Sequence, residues 1–392
     1  MKRLLRIGFD IFISSFTPII TWFFIGILIN KELTNVFTLT YPMQCIMGII
    51  ISIFGVGANV SGIRDKNKNS ANNGILYGTL FSIIIYGLTA IYCKYYIKFM
   101  NLDENIYLIF CTYSILQILL QTILQLILTK LHYQELNKKA NKISILFNTI
   151  NFVSLIFTAL ITKNQLYISI ITLSILTVFD IIIFIKNVNK IDFKFNIKNC
   201  IKYDSVSFST SIMFFIVYLF GFSQSFSFGE KYVVAITFAT LITDIQWDMA
   251  TAIKEVAKID IVKEKFDYNY HLKNATKYVS LLILSIILFG LALYSLYKPD
   301  FLIVSIFVIL HIIDFIMYQF FEIKITYLEI EYSPAKTTLN NIIASVIRTI
   351  LSLLPTPFCT IIGQIVCAIY EFTYSSILYK KVQPSISKNQ NL

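Results

Sequence analysis

Long apolar runs, separated by short polar segments, cover this chain from end to end. A helix needs about 20 mostly apolar residues to cross the hydrocarbon layer of a membrane. Because the polar segments are short, we expect no separate soluble domain. The pattern predicts an all-α integral membrane protein with twelve transmembrane helices, over about 7–30, 37–62, 74–97, 105–129, 143–162, 165–185, 206–229, 232–253, 278–297, 300–323, 340–356 and 359–379.

The composition agrees with this class of protein. Of the 392 residues 56% are hydrophobic and only 14% are charged, whereas soluble domains have about a quarter charged residues. The six cysteines include no C-x-x-C pair. We therefore interpret them as small apolar packing residues and not as a disulfide framework or a metal site.

The net charge of +11 reports topology and not a nucleic-acid partner. Basic residues concentrate in the terminal segments and in alternate loops, which is the positive-inside pattern. It predicts a multi-pass protein of the plasma (cytoplasmic) membrane with an even number of helices and both termini in the cytoplasm. The loops on the outer side hold few basic residues: Lys31, Lys94, Lys98, Lys163, Lys231 and Lys298.

The chain divides into two similar halves. Residues 1–204 hold six predicted spans and end in a basic linker at 186–204, and residues 205–392 hold six more. Two six-helix halves that start on the same side are related by an axis along the membrane normal, a standard transporter layout. We therefore expect two six-helix bundles, a 6+6 repeat, around a central cleft.

Residues 54–78, FGVGANVSGIRDKNKNSANNGILYG, contain the most distinctive local motif. A glycine-rich end of helix two, a short charged loop and a helix that opens on spaced glycines resemble the multidrug and toxic compound extrusion (MATE) transporters. These belong to the multidrug/oligosaccharidyl-lipid/polysaccharide flippase (MOP) superfamily. We expect a cytoplasmic gate at Gly55, Gly57 and Asn59, although small residues also suit a tightly packed helix end.

Ionisable residues inside the membrane are costly and therefore mark candidate functional positions. On helix eight, Thr240, Asp244 and Asp248 recur on one helical face, and two carboxylates one turn apart favour a shared proton or Na⁺. Further candidates lie on helices ten to twelve. They are His311, Asp314, Tyr318, Arg348 and Glu371.

The resemblance assigns roles to these residues. Some MATE members couple through an acid in helix one and others through acids of the C-terminal half, and Asp244, Asp248 and Asp314 make this chain similar to the second kind. We expect ion coupling at these three and Glu371, with no other metal site. The alternative is a structural ion pair of Arg348 with Asp314 or Glu371.

The N-terminal half offers amides instead of charges. Gln117 and Gln121 form a stripe on helix four, and Asn151 lies on helix five. Such amides usually join helices by hydrogen bonds and can also line a cavity. Asp10 and Asp180 lie near basic residues and are expected at the cytoplasmic interface.

The leading hypothesis is a monomeric antiporter. It would use Na⁺ or H⁺ and no cofactor to export amphipathic, cationic small molecules by alternating access. A flippase for lipid-linked saccharides is the alternative, but a pyrophosphate headgroup would need more basic residues than Arg348. A membrane enzyme is more distant, since the outer loops are too short to hold a catalytic site.

Overall fold

The computed structural model describes residues 1–29, 36–67, 69–99, 107–192, 195–226 and 228–389, and these form helices and turns with no strand among them. The helices of the first 204 residues are α1 (Lys2–Leu28), α2 (Val36–Ile50), a π-helical segment (Ile51–Gly57), α3 (Ala58–Arg64), α4 (Ser70–Phe99), α5 (Tyr107–Ile109), a second π-helical segment (Phe110–Ser114), α6 (Ile115–Tyr133), α7 (Asn137–Ile161), α8 (Gln165–Asn187) and α9 (Ile197–Tyr203). The remaining helices are α10 (Ser205–Phe226), α11 (Glu230–Ala250), α12 (Ala252–Val262), α13 (Tyr268–Tyr297), α14 (Phe301–Glu331), α15 (Pro334–Leu351) and α16 (Cys359–Asn389).

The prediction of an all-α, multi-pass membrane protein is confirmed. Each of the twelve predicted spans overlaps a helix. Within the described residues, eight helical segments are long and apolar enough to cross a membrane, or nine if the bent pair α9–α10 counts as one span. The count of twelve crossings, the 6+6 arrangement and the cleft stay predictions.

Side-chain caps explain where several of these helices begin. The Asp300 carboxylate accepts hydrogen bonds from the backbone N–H groups of Leu302 and Ile303 at the start of α14, at 3.1 and 3.2 Å. Asp267 caps α13 in the same way, and Ser333 precedes Pro334 at the start of α15. Each cap satisfies backbone donors that have no partner within the helix, which fixes the turn where the chain enters it.

The chain forms two compact units. The N-terminal unit comprises Ile13–Ser211, and the C-terminal unit comprises Ile212–Leu392 together with Met1–Phe12. The first turns of α1 therefore pack with the C-terminal unit, where Arg3 pairs with Asp260. The predicted division into six-helix lobes at residue 204 stays a prediction.

Close backbone packing surrounds the first π-helical segment of the N-terminal unit. A Cβ atom on Gly57 would lie 2.3 Å from the carbonyl oxygen of Cys200 in α9, and one on Gly74 would lie 2.3 Å from the carbonyl oxygen of Phe54. The Phe195 ring stacks on Phe54 at 5.6 Å between ring centroids. The glycines thus let α4 and α9 approach the π-helical segment at backbone distance.

Helix α14 is the centre of the C-terminal unit. It packs against α11, α12, α13, α15 and α16. The ring of Trp247 lies 5.1 Å from Phe315 and 4.9 Å from Tyr318, so aromatic contacts join α11 to the middle of α14. The polar residues of α14 are consequently held inside a packed helix cluster.

Candidate functional site

Asp314 is the most deeply buried of the predicted coupling acids that the structure describes, with 1% of its surface exposed. Its carboxylate accepts a hydrogen bond from the Gln364 side-chain amide of α16. The amide oxygen of Gln364 in turn accepts a hydrogen bond from Nη2 of Arg348 at 3.2 Å. Gln364 therefore links the acid to the cation, so the carboxylate keeps capacity for a proton or a small cation.

Arg348 is held in place by an aromatic ring as well as by Gln364. Its guanidinium carbon lies 4.2 Å from the ring centroid of Phe214 in α10, a cation–π distance. This arrangement resembles the structural alternative stated above, with the amide of Gln364 inserted between Arg348 and Asp314. The guanidinium stabilises negative charge nearby without neutralising the acid by direct contact.

Two lysines of α12 pair with the acids that follow on α14. Nζ of Lys254 lies 3.6 Å from Oε1 of Glu322, and Nζ of Lys258 lies 3.2 Å from Oε2 of Glu329. The side chains of Lys258 and Glu329 are completely buried. Among the acids of α14 that the structure describes, Asp314 thus differs from Glu322 and Glu329 in having an amide partner instead of a lysine.

Several buried side-chain polar atoms of α11, α14 and α15 have no hydrogen-bond partner within the described structure. Most buried polar groups in proteins are paired, so each such atom is a candidate contact for a polar ligand. The atoms in question are Nδ1 of His311, Oε1 of Gln246, Oε1 of Gln319 and both side-chain amide atoms of Asn340.

The other predicted residues of this unit lie in different environments. Tyr318 is buried against Trp247, and Thr240 and Glu371 are half-buried. Asp248 is exposed near the end of α11, and the side chain of Asp244 lies outside the part of the chain that the structure describes. Ion coupling by Asp244, Asp248, Asp314 and Glu371 stays a prediction.

Two of the three predicted amides of the N-terminal unit, Gln121 and Asn151, bond to another helical segment, whereas Gln117 bonds within α6. Gln117 donates to Gln121 at 3.1 Å, and Gln121 donates to the backbone oxygen of Ser14 in α1 at 3.4 Å. The Tyr113 hydroxyl donates to Asn151 at 2.6 Å and links the second π-helical segment to α7. These contacts match the helix-joining interpretation of the stripe, while a role in lining a cavity stays a prediction.

The predicted gate residues are all buried. Gly55 lies against Leu126 and Thr129 of α6, and the Asn59 side chain donates to the backbone oxygen of Gly55 at 2.9 Å. Gly55 and Gly57 belong to a π-helical segment, a form that is frequent at functional sites. Gating by these residues stays a prediction, and close packing is what they do in this conformation.

Gln364, Lys254, Lys258 and Glu329 are functional candidates that were not predicted from the sequence. The lysines are one turn apart, and Glu322 and Glu329 are two turns apart on α14, so both pairs repeat at helical spacing. Each spacing places its two residues on one face of a helix, which was a usable indication of a charged face on each helix. No such indication existed for Gln364, because the sequence does not show which residues of other helices a single glutamine contacts.

Comparison with known proteins shows the same fold in membrane transporters. A MOP superfamily transporter from Pyrococcus furiosus is 17% identical, with a TM-score of 0.71 over 97% of this chain and 96% of that one; reverse polarity of its binding pocket suggests a different function for it. A multidrug resistance MATE family transporter in an outward-facing conformation is 18% identical, with a TM-score of 0.70 over 98% and 96% of the two chains. A MATE transporter in the bent conformation is 16% identical, with a TM-score of 0.72 over 98% and 96%.

No protein-family profile matches the sequence, and no curated protein matches it either. At this level of identity the likeness concerns the fold, and it extends over nearly the whole of each chain. The predicted resemblance to MATE transporters is confirmed at that level.

Proposed function

We propose that this chain is a MATE-type antiporter that exports amphipathic, cationic small molecules in exchange for Na⁺ or H⁺. The observation that supports it most is the Asp314 carboxylate, buried at the middle of α14 within a fold shared with MATE transporters. Within the described residues this carboxylate has no direct ion pair, and such a buried membrane carboxylate is suited to bind and release a coupling cation. We place the protein in the plasma membrane, as a monomer, with both termini in the cytoplasm.

Exchange requires that the coupling ion and the substrate favour different conformations. An ion bound at Asp314 would neutralise the carboxylate and thereby weaken its attraction for a cationic substrate. An ion shifts a conformational equilibrium only by as much as its affinity differs between the two states. The Gln364 link allows such a difference, because rotation of one amide would change how strongly Arg348 stabilises the carboxylate.

Transport by purified protein in lipid vesicles tests the proposal. A Na⁺ gradient or a pH gradient should drive movement of a fluorescent organic cation, and Asp314→Asn should abolish that movement. Asparagine keeps the size of the side chain and removes its negative charge. A Na⁺-dependent or pH-dependent shift in thermal stability should disappear in the same variant.

Asp300→Asn is the matched control. Asp300 caps the same helix at an exposed position, and asparagine caps helices as well as aspartate does. Transport at the normal rate by Asp314→Asn would refute the coupling role. Loss of folding in Asp314→Asn, without any ion-dependent stability in the unmodified protein, would assign Asp314 to structure instead.

A further inference from the structure

The linker between the two halves has lysines at a strict spacing of four residues. They are Lys186, Lys190, Lys194, Lys198 and Lys202. The linker 186–204 contains only two acidic residues, Asp192 and Asp204. Lys194 lies outside the described residues, and the other four lysines are exposed. The positive-inside rule requires basic residues in this loop, but it requires neither this spacing nor a fixed backbone.

The backbone of the linker is fixed on the N-terminal unit. The backbone oxygen of Asn187 accepts a hydrogen bond from Nζ of Lys130 at 2.5 Å, and its side chain accepts one from Lys139 at 2.6 Å. At the far end, the Asn199 side chain donates to Asp65 at 3.0 Å. The described parts of the linker, 186–192 and 195–204, thus form an ordered surface, and the four described lysines have defined backbone positions.

Both acids of the linker are already engaged by other residues. Asp192 accepts hydrogen bonds from the side chains of Asn69, at 3.1 Å, and Asn73. Asp204 is buried and accepts a hydrogen bond from Ser52 at 2.7 Å. Both carboxylates thus have hydrogen-bond partners within the protein, and five lysines against two acids leave the linker with a net positive charge.

The described lysines of the linker pair with no acid of the described structure, and the Nζ of Lys202 lies 5.6 Å from the centroid of the Tyr203 ring. Within the described structure, Lys186, Lys190, Lys198 and Lys202 form no ion pair and donate no side-chain hydrogen bond. By contrast, the Lys130 and Lys139 side chains nearby bind amide oxygens of the protein. On α9, Lys198 and Lys202 are one turn apart, beside Ile197, which is 48% exposed.

We propose that the described part of this linker, with Lys186, Lys190, Lys198 and Lys202, binds the headgroups of anionic phospholipids. Membrane helices flank it in the sequence, which places it at the level of the headgroups. A basic cluster next to a membrane helix attracts anionic lipid, and an exposed isoleucine beside it can enter the acyl boundary. The proposal is independent of which ion or substrate is transported.

Lipid retention by the full-length protein tests this binding. The protein in nanodiscs of phosphatidylcholine with phosphatidylglycerol should retain phosphatidylglycerol preferentially when examined by native mass spectrometry. Each lysine near an anionic surface contributes about fivefold in affinity, so Lys198→Gln/Lys202→Gln should weaken retention by about 25-fold. Salt at about 0.5 M should reduce the preference, because charges on a surface are screened.

Lys138→Gln/Lys142→Gln is the matched control, since these lysines are also exposed and one turn apart, at the start of α7. The proposal requires the control to keep its preference for phosphatidylglycerol. Equal losses of phosphatidylglycerol retention in both variants would show that any surface lysine has this effect, and would overturn the proposal. Full retention in the linker variant would also overturn it. Equal binding of soluble glycerol phosphate would overturn a lipid as the occupant, and unchanged melting in pure phosphatidylcholine checks that both variants fold.

Discussion

Three acidic residues of α14 differ in the partners that their side chains contact. Asp314 has an amide partner, whereas Glu322 and Glu329 have lysine partners. Removing one partner of a buried ion pair is strongly destabilising, because the other charge is left buried without its counter-charge. The lysine-paired acids therefore contribute ion pairs to the unit, whereas the partner of Asp314 is the neutral amide of Gln364.

Lys258→Met should destabilise the protein by about 3–5 kcal/mol, because Glu329 would be left buried without its cation. The double variant Lys258→Met/Glu329→Met should recover most of that loss, since two apolar side chains replace the buried pair. Equilibrium unfolding in detergent micelles measures both. Lys265→Met, at an exposed position, should change little, and a double variant no more stable than the single one would contradict the pairing.

Asp260 lies outside the membrane spans and gives a pH-dependent contact. Burial raises the pKa of Asp260, but the hydrogen bond with His271 and the charge of Arg3 outweigh this, so its pKa lies below the usual 3.8. A carboxyl whose pKa is lowered by folding stabilises the fold at pH values above its unfolded-state pKa. This stabilisation is lost as the pH falls through the folded-state pKa. Unfolding measured between pH 6 and about pH 3 should therefore show an acid-induced loss that Asp260→Asn lacks, and an identical pH profile in the variant would exclude this contact as its source.

The π-helical segment Ile51–Gly57 is a packing centre of the N-terminal unit. Helices α4, α6 and α9 all pack on it, and glycines permit the closest approaches. The residue types in the stretch predicted close packing or gating, but the partner in α9 could not be predicted. Cys200 lies far along the chain, and no local pattern indicates which turn of a distant helix meets Gly57.

Gly74→Ala should destabilise the protein by about 1–3 kcal/mol. The added methyl group would lie 2.3 Å from the backbone oxygen of Phe54 and 2.5 Å from Cβ of Ala58, so α4 would have to move away. Gly87→Ala is the control on the same helix, with no atom within 4 Å of the added carbon. Alanine is the better helix former, so the control should be neutral or stabilising. Thermal unfolding compares the two, and equal effects would rule out packing as the reason for glycine at position 74.

The fold of the whole molecule was predictable because apolar runs of membrane length are a strong pattern. The helix positions followed from hydrophobicity, whereas the side-chain partners did not. Gln364 and Asp314 lie on different helices, and the pairing depends on the rotation of each helix about its axis. The exposure of Asp248 was likewise not predicted, because the spacing of polar residues along the sequence does not show that Asp248 lies two residues before the end of α11 at Ala250.

The side of the membrane on which each loop lies can be predicted for the whole chain. Reporters inserted after Lys31, Lys163 and Lys298 should map to the outside, and reporters after Lys66, Lys194 and Lys265 should map to the cytoplasm. The bias of lysine and arginine between alternate loops is the physical reason. Accessibility of single cysteines to a membrane-impermeant reagent provides an independent measurement. One reversed loop in this set would overturn the twelve-span assignment.

The packing of the first dozen residues with the C-terminal unit bears on the order of events during synthesis. Arg3 meets Asp260, which follows it by 257 residues, and Gly8 lies against Tyr278. A ribosome adding about 5–20 residues per second needs roughly ten to fifty seconds to produce that partner. During this interval the N-terminal unit can assemble from residues already made, while the leading turns of the first helix wait without their final contacts. Docking of those turns therefore has to wait until the C-terminal unit has been synthesised.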